Sequence, residues 1–139
     1  MNNLRTLTYF DIYRKNAHHL STTCALNYNG TDTTYSELFE STAQLAAGLQ
    51  SLGFSPGTRI AVLCKNHPVF FHLFGAASAL NLCLVLVNRR LSPEELTHVI
   101  EDTTPSAIFC DAGMRQQAED LQSQSDSLEH LFVVDDTDE

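Results

Sequence analysis

Basic residues are scarce in this chain. Eight lysines and arginines stand against 17 aspartates and glutamates among 139 residues, which gives a formal net charge of -9. A nucleic-acid surface needs clustered lysine and arginine to displace counterions, and no basic run occurs. We therefore expect no nucleic-acid partner. Part of the acidic excess lies in residues 135–139, which we interpret as a solvated tail or a linker.

Long apolar runs are also missing. Residues 1–5 lack the apolar core of a signal peptide. The most apolar stretch, residues 69–87, is interrupted by His72, Ser78 and Asn81, so it favours a buried helix and strand over a membrane span. The sequence predicts no transmembrane segment and, as the default, a cytoplasmic location.

The cysteines show no pattern of a metal site or a disulfide framework. The four residues Cys24, Cys64, Cys83 and Cys110 include no Cys-x-x-Cys pair, and each lies in an apolar stretch. This placement predicts buried free thiols, because cysteine behaves there as a small hydrophobic residue. A chain of this length buries enough surface to fold without covalent or metal crosslinks.

Phosphate-binding loops and nucleophile motifs are absent from the sequence. It contains no Gly-x-Gly-x-x-Gly and no Gly-x-Ser-x-Gly. Neither lysine, Lys15 or Lys65, follows a glycine as a Walker-type loop requires. The sequence therefore argues against a complete nucleotide site and against a serine nucleophile.

The histidines do not suggest a metal centre. His18 and His19 are adjacent, so we expect them to diverge on a helix. His67 and His72 are five positions apart, which suits a shared metal poorly. We predict ordinary surface or packing roles for all four.

The first part of the chain predicts a helix and a small hairpin. Apolar residues recur at helical spacing within residues 4–20. A short strand over 24–28, the turn signal Asn29-Gly30 and a return strand at 33–34 form the hairpin. Thr34 and Glu37 then fit a capping box that starts a second helix.

From Ile60 onward, apolar strands alternate with helices. The predicted strands carry little polar alternation, which is typical of strands covered on both faces. They span residues 60–64, 82–87, 107–110 and 131–134. This alternation predicts an α/β fold with a doubly wound, mostly parallel sheet and helices on both faces. We divide the chain into a helix and hairpin start (1–33), βα units (34–134) and an acidic tail (135–139).

Arg89-Arg90 is the strongest candidate site. The pair follows the second predicted strand and precedes a helix that starts with Ser92-Pro93-Glu94-Glu95. Unpaired amides and the helix dipole at such a place favour an anion. The residues alone leave two interpretations open, an anion contact and a structural salt link.

Several motifs, taken together between Thr33 and Asp111, resemble one superfamily. It comprises acyl-CoA synthetases, peptide-synthetase adenylation domains and luciferases. The motifs are Thr34-Tyr35-Ser36-Glu37-Leu38, Pro56-Gly57-Thr58-Arg59-Ile60-Ala61, Asn66-His67-Pro68 with Phe70, and Asn88-Arg89-Arg90-Leu91 followed by Pro93-Glu94-Glu95-Leu96. This chain is similar to the N-terminal portion of such an enzyme.

The resemblance implies an AMP-forming acid–thiol ligase. Such enzymes make an acyl-adenylate from a carboxylic acid and ATP and then pass the acyl group to a thiol, often CoA, with magnesium present. The chain resembles a part that precedes the family's phosphate loop and its catalytic lysine. We therefore assign no catalytic and no metal-binding residue here, and expect the chain alone to be inactive and to bind neither ATP, Mg²⁺ nor CoA by itself.

One residue role carries over from the resemblance. Arg90 corresponds to an arginine that faces the entry side of the CoA nucleotide, which implies a CoA phosphate contact. Three positions depart from the family pattern, since Asn81 replaces a glycine, and Leu86 and Arg89 each replace a proline.

Three other hypotheses stay open at this point. They are the start of a peptide-synthetase-type adenylation domain, a non-catalytic α/β binding or assembly module, and an unrelated small α/β domain such as a receiver. If it is a portion of a ligase, apolar surface that packs on the missing part stays uncovered. We then expect the isolated chain to self-associate.

Overall fold

The computed structural model describes residues 7–134. The predicted start of the first helix at Leu4 and the acidic tail at 135–139 lie outside this range. Within it the chain forms five α-helices, one 3-10 helix and six strands. In chain order they are α1 (Tyr9–His19), β1 (Cys24–Tyr28), β2 (Thr31–Thr34), α2 (Tyr35–Ser51), β3 (Arg59–Leu63), α3 (Val69–Leu80), β4 (Cys83–Leu86), α4 (Pro93–Thr103), β5 (Ala107–Asp111), the 3-10 helix η1 (Ala112–Met114), α5 (Arg115–Gln124) and β6 (His130–Val134).

The chain divides into two compact units that alternate along the sequence. The first unit comprises the chain up to Pro56 together with residues 68–81. The second comprises residues 57–67 and the chain from Leu82 onward. The helix α3 thus belongs to the first unit, although the strands on either side of it, β3 and β4, belong to the second.

The helix α1 starts later than its periodicity predicts. Thr8 is the N-cap, since its hydroxyl accepts from the Asp11 amide at 3.2 Å. The Asp11 carboxylate in turn accepts from the Thr8 amide at 3.3 Å. Leu7, which lies within the predicted helix, precedes this cap and is 67% exposed.

The hairpin and the start of α2 are confirmed. Strands β1 and β2 pair antiparallel. Asn29 and Gly30 both adopt positive φ, 50° and 82°, as a two-residue hairpin turn requires. Thr34 caps α2 in a capping box with Glu37.

In the first unit, α1, α2 and α3 pack closely around one glycine. A Cβ atom at Gly75 of α3 would lie 2.4 Å from the Thr42 Cγ2 atom and 2.8 Å from a Tyr13 ring carbon. Only glycine permits this approach. Thr42 is fully buried, and its hydroxyl has no hydrogen-bond partner among the described residues. The Tyr13 hydroxyl donates to the Phe71 carbonyl at 3.1 Å.

The second unit is built on a four-stranded parallel sheet in the order β4-β3-β5-β6. Its core lies between the sheet and the helices α4 and α5. The buried residues of this core are Ala61, Leu63, Val87, Leu96, Ile100, Ile108, Cys110, Met114, Ala118, Leu121 and Leu128. The mixed α/β class with a helix, a hairpin and a parallel sheet is therefore confirmed.

The expectation that β4 is a buried strand is wrong. It lies at the edge of the sheet, where Leu86 is 56% exposed and Cys83 is exposed. Its apolar sequence resembles that of β5, whose five residues are all buried. The two strands differ because β5 has a neighbour on each side and β4 has one.

The ends of the helices agree with local sequence rules better than the burial of the strands does. The predicted helix start at Ser92 is confirmed, with Ser92 and Glu95 in a capping box of α4. Asn81 closes α3 at a left-handed φ of 54°. Pro68 occupies the N-cap position of α3. No helix within residues 7–134 is long and apolar enough to cross a membrane.

Candidate functional site

The candidate site lies at the carboxyl edge of the parallel sheet. The chain leaves β3 for β4 on one side and later adds β5 on the other, so the strand order reverses between β3 and β5. Ligands of open α/β sheets bind at such a switch point. Asp111, the last residue of β5, lies here with 3% exposure.

The Asp111 carboxylate joins three segments. One oxygen accepts from the Lys65 amide at 2.6 Å, just past β3. The other accepts from the Met114 amide at 3.1 Å, within η1. An Arg89 Nη1 atom, past β4, lies 4.0 Å from the carboxylate. A buried carboxylate needs such partners to offset its lost hydration, and Asp111 finds all three within the protein.

Gly113 leaves room for this arrangement. A Cβ atom there would lie 3.1 Å from an Asp111 carboxylate oxygen and 3.9 Å from the Arg89 Nη2 atom. Its φ is not in the positive range, so the restriction is one of space. A side chain at this position would press against the carboxylate that holds the three segments together.

Residues Asn88–Leu91 form a β-turn that carries both arginines. The Leu91 amide donates to the Asn88 carbonyl at 3.2 Å, and the Arg90 amide donates to the Asn88 side-chain oxygen at 3.0 Å. Arg89 and Arg90 are the two central residues, and neither has positive φ. These features are typical of a type I turn with asparagine at its first position.

The structure distinguishes the two arginines, for which the sequence left both interpretations open. Arg89 makes the structural ion pair with Asp111. Arg90 is exposed, and its guanidinium makes no hydrogen bond or ion pair with the part of the chain that the structure describes. The anion contact at Arg90 stays a prediction. The Arg89–Asp111 contact has no sequence signal beyond the two residue types.

Two buried thiols lie beside this edge. The Cys64 thiol donates to the Phe109 carbonyl at 3.6 Å. Burial, reinforced by the nearby Asp111 carboxylate, raises the pKa of Cys64 to about 12. Burial also raises the pKa of Cys110 to about 11. Both thiols are therefore protonated at neutral pH and are poor nucleophiles.

The expectation for the cysteines is confirmed in part. All four thiols are free, but Cys24 and Cys83 are exposed. Both lie on strands that are flanked on only one side by another strand. An apolar sequence context therefore did not guarantee burial.

The histidines do not assemble a site in residues 7–134. His18 and His19 do not diverge as expected, since their ring centroids lie 4.8 Å apart in an edge-on contact. They contact each other where α1 ends. The His72 ring lies 3.2 Å from the Ser41 hydroxyl. No three His, Cys, Asp or Glu side chains of this range lie close enough to hold a metal ion.

Comparisons with known proteins identify the family of this chain. A family model described as AMP-binding enzyme matches residues 13–139. A feruloyl-CoA synthase from Amycolatopsis sp is 37% identical over 85 residues, which cover 61% of this chain and 17% of that protein.

Solved structures give the same result. A Rhodopseudomonas palustris protein provisionally assigned as a long-chain-fatty-acid CoA ligase matches with a TM-score of 0.89 at 26% identity, covering 96% of this chain and 34% of that one. The N-terminal domain of FACL13 from Mycobacterium tuberculosis shares the fold, with a TM-score of 0.81 at 22% identity, covering 91% of this chain and 33% of that one.

The chain spans less than a fifth of the length of the curated relatives it matches. The family match nevertheless covers nearly all of the described residues, and the motifs that suggested the resemblance fall within it. The chain therefore belongs to the AMP-binding enzyme family, and its fold matches that of an N-terminal domain within it.

Proposed function

We propose that the complete polypeptide is an acid–thiol ligase. It would activate a carboxylic acid with ATP as an acyl-adenylate and transfer the acyl group to CoA. The observation that carries this proposal is the family match over residues 13–139. The names of similar proteins, a feruloyl-CoA synthase and a long-chain-fatty-acid CoA ligase, both point to a carboxylic acid joined to CoA.

The described residues supply a scaffold rather than the reaction centre. The one buried carboxylate among them, Asp111, is held by two backbone amides and by Arg89. Both of its oxygens already accept from backbone amides, and no group of three or more His, Cys, Asp or Glu side chains within residues 7–134 could hold a metal ion. We propose that ATP and Mg²⁺ bind to other parts of the polypeptide and that this chain alone is inactive.

Arg90 is the residue of this chain that we propose to contact substrate. Its guanidinium is exposed and presents planar donors that suit the phosphates of CoA. The N-terminus of α4 adds little, because the Glu95 carboxylate already accepts from the Ser92 amide at 2.7 Å. Any phosphate recognition here would therefore depend mainly on Arg90.

The test uses the complete polypeptide with aromatic and long-chain acids. We expect pyrophosphate release that requires the acid, and thioester formation that requires CoA as well. Arg90→Ala should raise the KM for CoA about tenfold or more, as expected for a lost charged contact, with little change in acid-dependent pyrophosphate release. Arg14→Ala, which removes an exposed arginine paired with Asp11 in α1, is the matched control.

Other outcomes would favour the alternatives. Adenylation followed by transfer to a carrier-protein thiol, and never to CoA, would indicate a peptide-synthetase-type adenylation domain. No adenylation with any acid would indicate a non-catalytic binding or assembly module.

We also propose that the isolated chain self-associates. Its first unit exposes the apolar side chains of Leu7, Tyr9, Ile12 and Phe71, and a largely apolar groove of about 360 Å³ lies among three of them. Exposed apolar patches of this kind favour association. Sedimentation velocity should show species larger than a monomer, and a strictly monomeric chain would contradict the proposal. A cytoplasmic location, which cell fractionation would test, remains a further proposal.

A further inference from the structure

The turn that carries Arg90 is exposed, so its own hydrogen bonds hold it weakly. Asn88, Arg89 and Arg90 are all exposed. Hydrogen bonds of an exposed turn exchange readily with bonds to water and contribute little net stability. A turn that must present one side chain in a fixed direction therefore benefits from a second anchor.

The structure provides two anchors, both on the N-terminal side of Arg90. Before the turn, the Val87 amide donates to the Val62 carbonyl of β3 at 3.0 Å. Within the turn, Arg89 pairs with Asp111. That carboxylate is itself fixed by two backbone amides, and Gly113 leaves the space beside it open.

We infer that Arg89 is a positioning residue for Arg90 and that Asp111 is its anchor. The ion pair holds the first central residue of the turn inward, so the next residue, Arg90, is presented outward at the sheet edge. This inference rests on the proposed contact between Arg90 and CoA. It assigns to Arg89 a role that requires no contact with the substrate.

Proline at position 89 offers a sharp test of this role. Both central residues of the turn have negative φ, and proline presets the φ that a type I turn needs at its first central position. The Arg89 amide makes no hydrogen bond within the described residues, so proline removes none. Arg89→Pro thus removes the ion pair but restrains the backbone of the turn, whereas Arg89→Ala removes the ion pair and adds no backbone restraint.

The experiment measures CoA binding to the complete polypeptide by calorimetry, together with the KM values for CoA and ATP. We expect Arg89→Ala to weaken CoA binding about two- to fivefold, as loss of a partly exposed ion pair allows. The KM for ATP should not change. Arg89→Pro should restore CoA binding to within about twofold of the parent, and Arg14→Ala should match the parent.

A second readout does not depend on CoA. Hydrogen exchange of the turn peptide reports on the Arg90 amide, which donates to Asn88. Exchange should accelerate in Arg89→Ala and return to the parent rate in Arg89→Pro. Unchanged exchange in Arg89→Ala would overturn the inference even if CoA binding were affected.

The outcomes separate this inference from the proposed function. If Arg90→Ala weakens CoA binding and Arg89→Ala does not, the proposed contact stands and the positioning role is wrong. If Arg89→Pro is as weak as Arg89→Ala, Arg89 contacts the ligand itself and the positioning role is again wrong. If Arg90→Ala has no effect on CoA binding, the proposed contact fails, and the inference fails with it.

Discussion

Replacing Gly75 by alanine tests whether the packing of α1, α2 and α3 is as close as the structure shows. The new Cβ atom would lie 2.4 Å from the Thr42 Cγ2 atom and 2.8 Å from the Tyr13 ring, well inside van der Waals contact. Overpacking of this kind costs about 1–3 kcal/mol. Alanine gains about 1 kcal/mol in helix propensity over glycine. Because the contact is so short, we expect the overpacking cost to lie near the upper end of this range. The net result should be a loss of about 2 kcal/mol in unfolding free energy.

Gly48 in α2 is the matched control. A Cβ atom there meets nothing within 4 Å, and the residue lies in a helix without positive φ. Gly48→Ala should therefore stabilise the protein by about 0.5–1 kcal/mol. Urea unfolding followed by circular dichroism measures both variants. If Gly75→Ala raised the unfolding midpoint as Gly48→Ala does, the close packing would be refuted.

A double variant identifies the atoms responsible. Thr42→Ser removes the Cγ2 methyl that makes the shortest contact and keeps the hydroxyl. In the background of Thr42→Ser, Gly75→Ala should cost about 1 kcal/mol less than it does alone, because residues in contact are not additive. The Tyr13 ring contact remains, so the recovery should be incomplete.

Three further predictions concern buried polar groups. Thr42→Val replaces a hydroxyl that has no hydrogen-bond partner within residues 7–134 and should stabilise the fold by about 1 kcal/mol in urea unfolding; a loss of stability would indicate that the hydroxyl is bonded. Burial raises the pKa of Cys64 to about 12 and of Cys110 to about 11, from an ordinary value of 9.0. The contribution of these thiols to the unfolding free energy is therefore complete below pH 9. As pH rises toward 11, each thiol lowers the unfolding free energy by about 1.4 kcal/mol per pH unit. A variant with alanine at both positions should show a shallower decline in unfolding free energy. Asp111→Asn places an amide group against two N–H donors and should cost about 2–3 kcal/mol, whereas the exposed Asp120→Asn should cost under about 0.5 kcal/mol; equal costs would show that the Asp111 contacts contribute little.

Features set by neighbouring residues in the sequence were predictable. The hairpin turn at Asn29-Gly30 and the capping box of Thr34 with Glu37 depend on residues at most three apart. The capping box of Thr8 was missed because its third helical residue is Asp11, while the usual pattern has glutamate or glutamine there. The shorter carboxylate nevertheless reaches the cap.

Features set by strand order were not predictable from local pattern. The apolar sequence of β4 does not reveal that it lies at an edge, because that position depends on which side of β3 each crossover returns to. The contact between Arg89 and Asp111 depends on the same arrangement. The family motifs identified the family and the fold, yet they gave no sign that Arg89 and Asp111 would meet.

The alternation of the two units along the chain has a consequence for biosynthesis. The first unit needs α3 to cover Thr42 and Tyr13, and that helix is translated only after β3 of the second unit. The first 56 residues therefore cannot complete their own core as they leave the ribosome. A nascent chain arrested before α3 should remain sensitive to protease throughout, and protection should appear only once residues 68–81 have emerged.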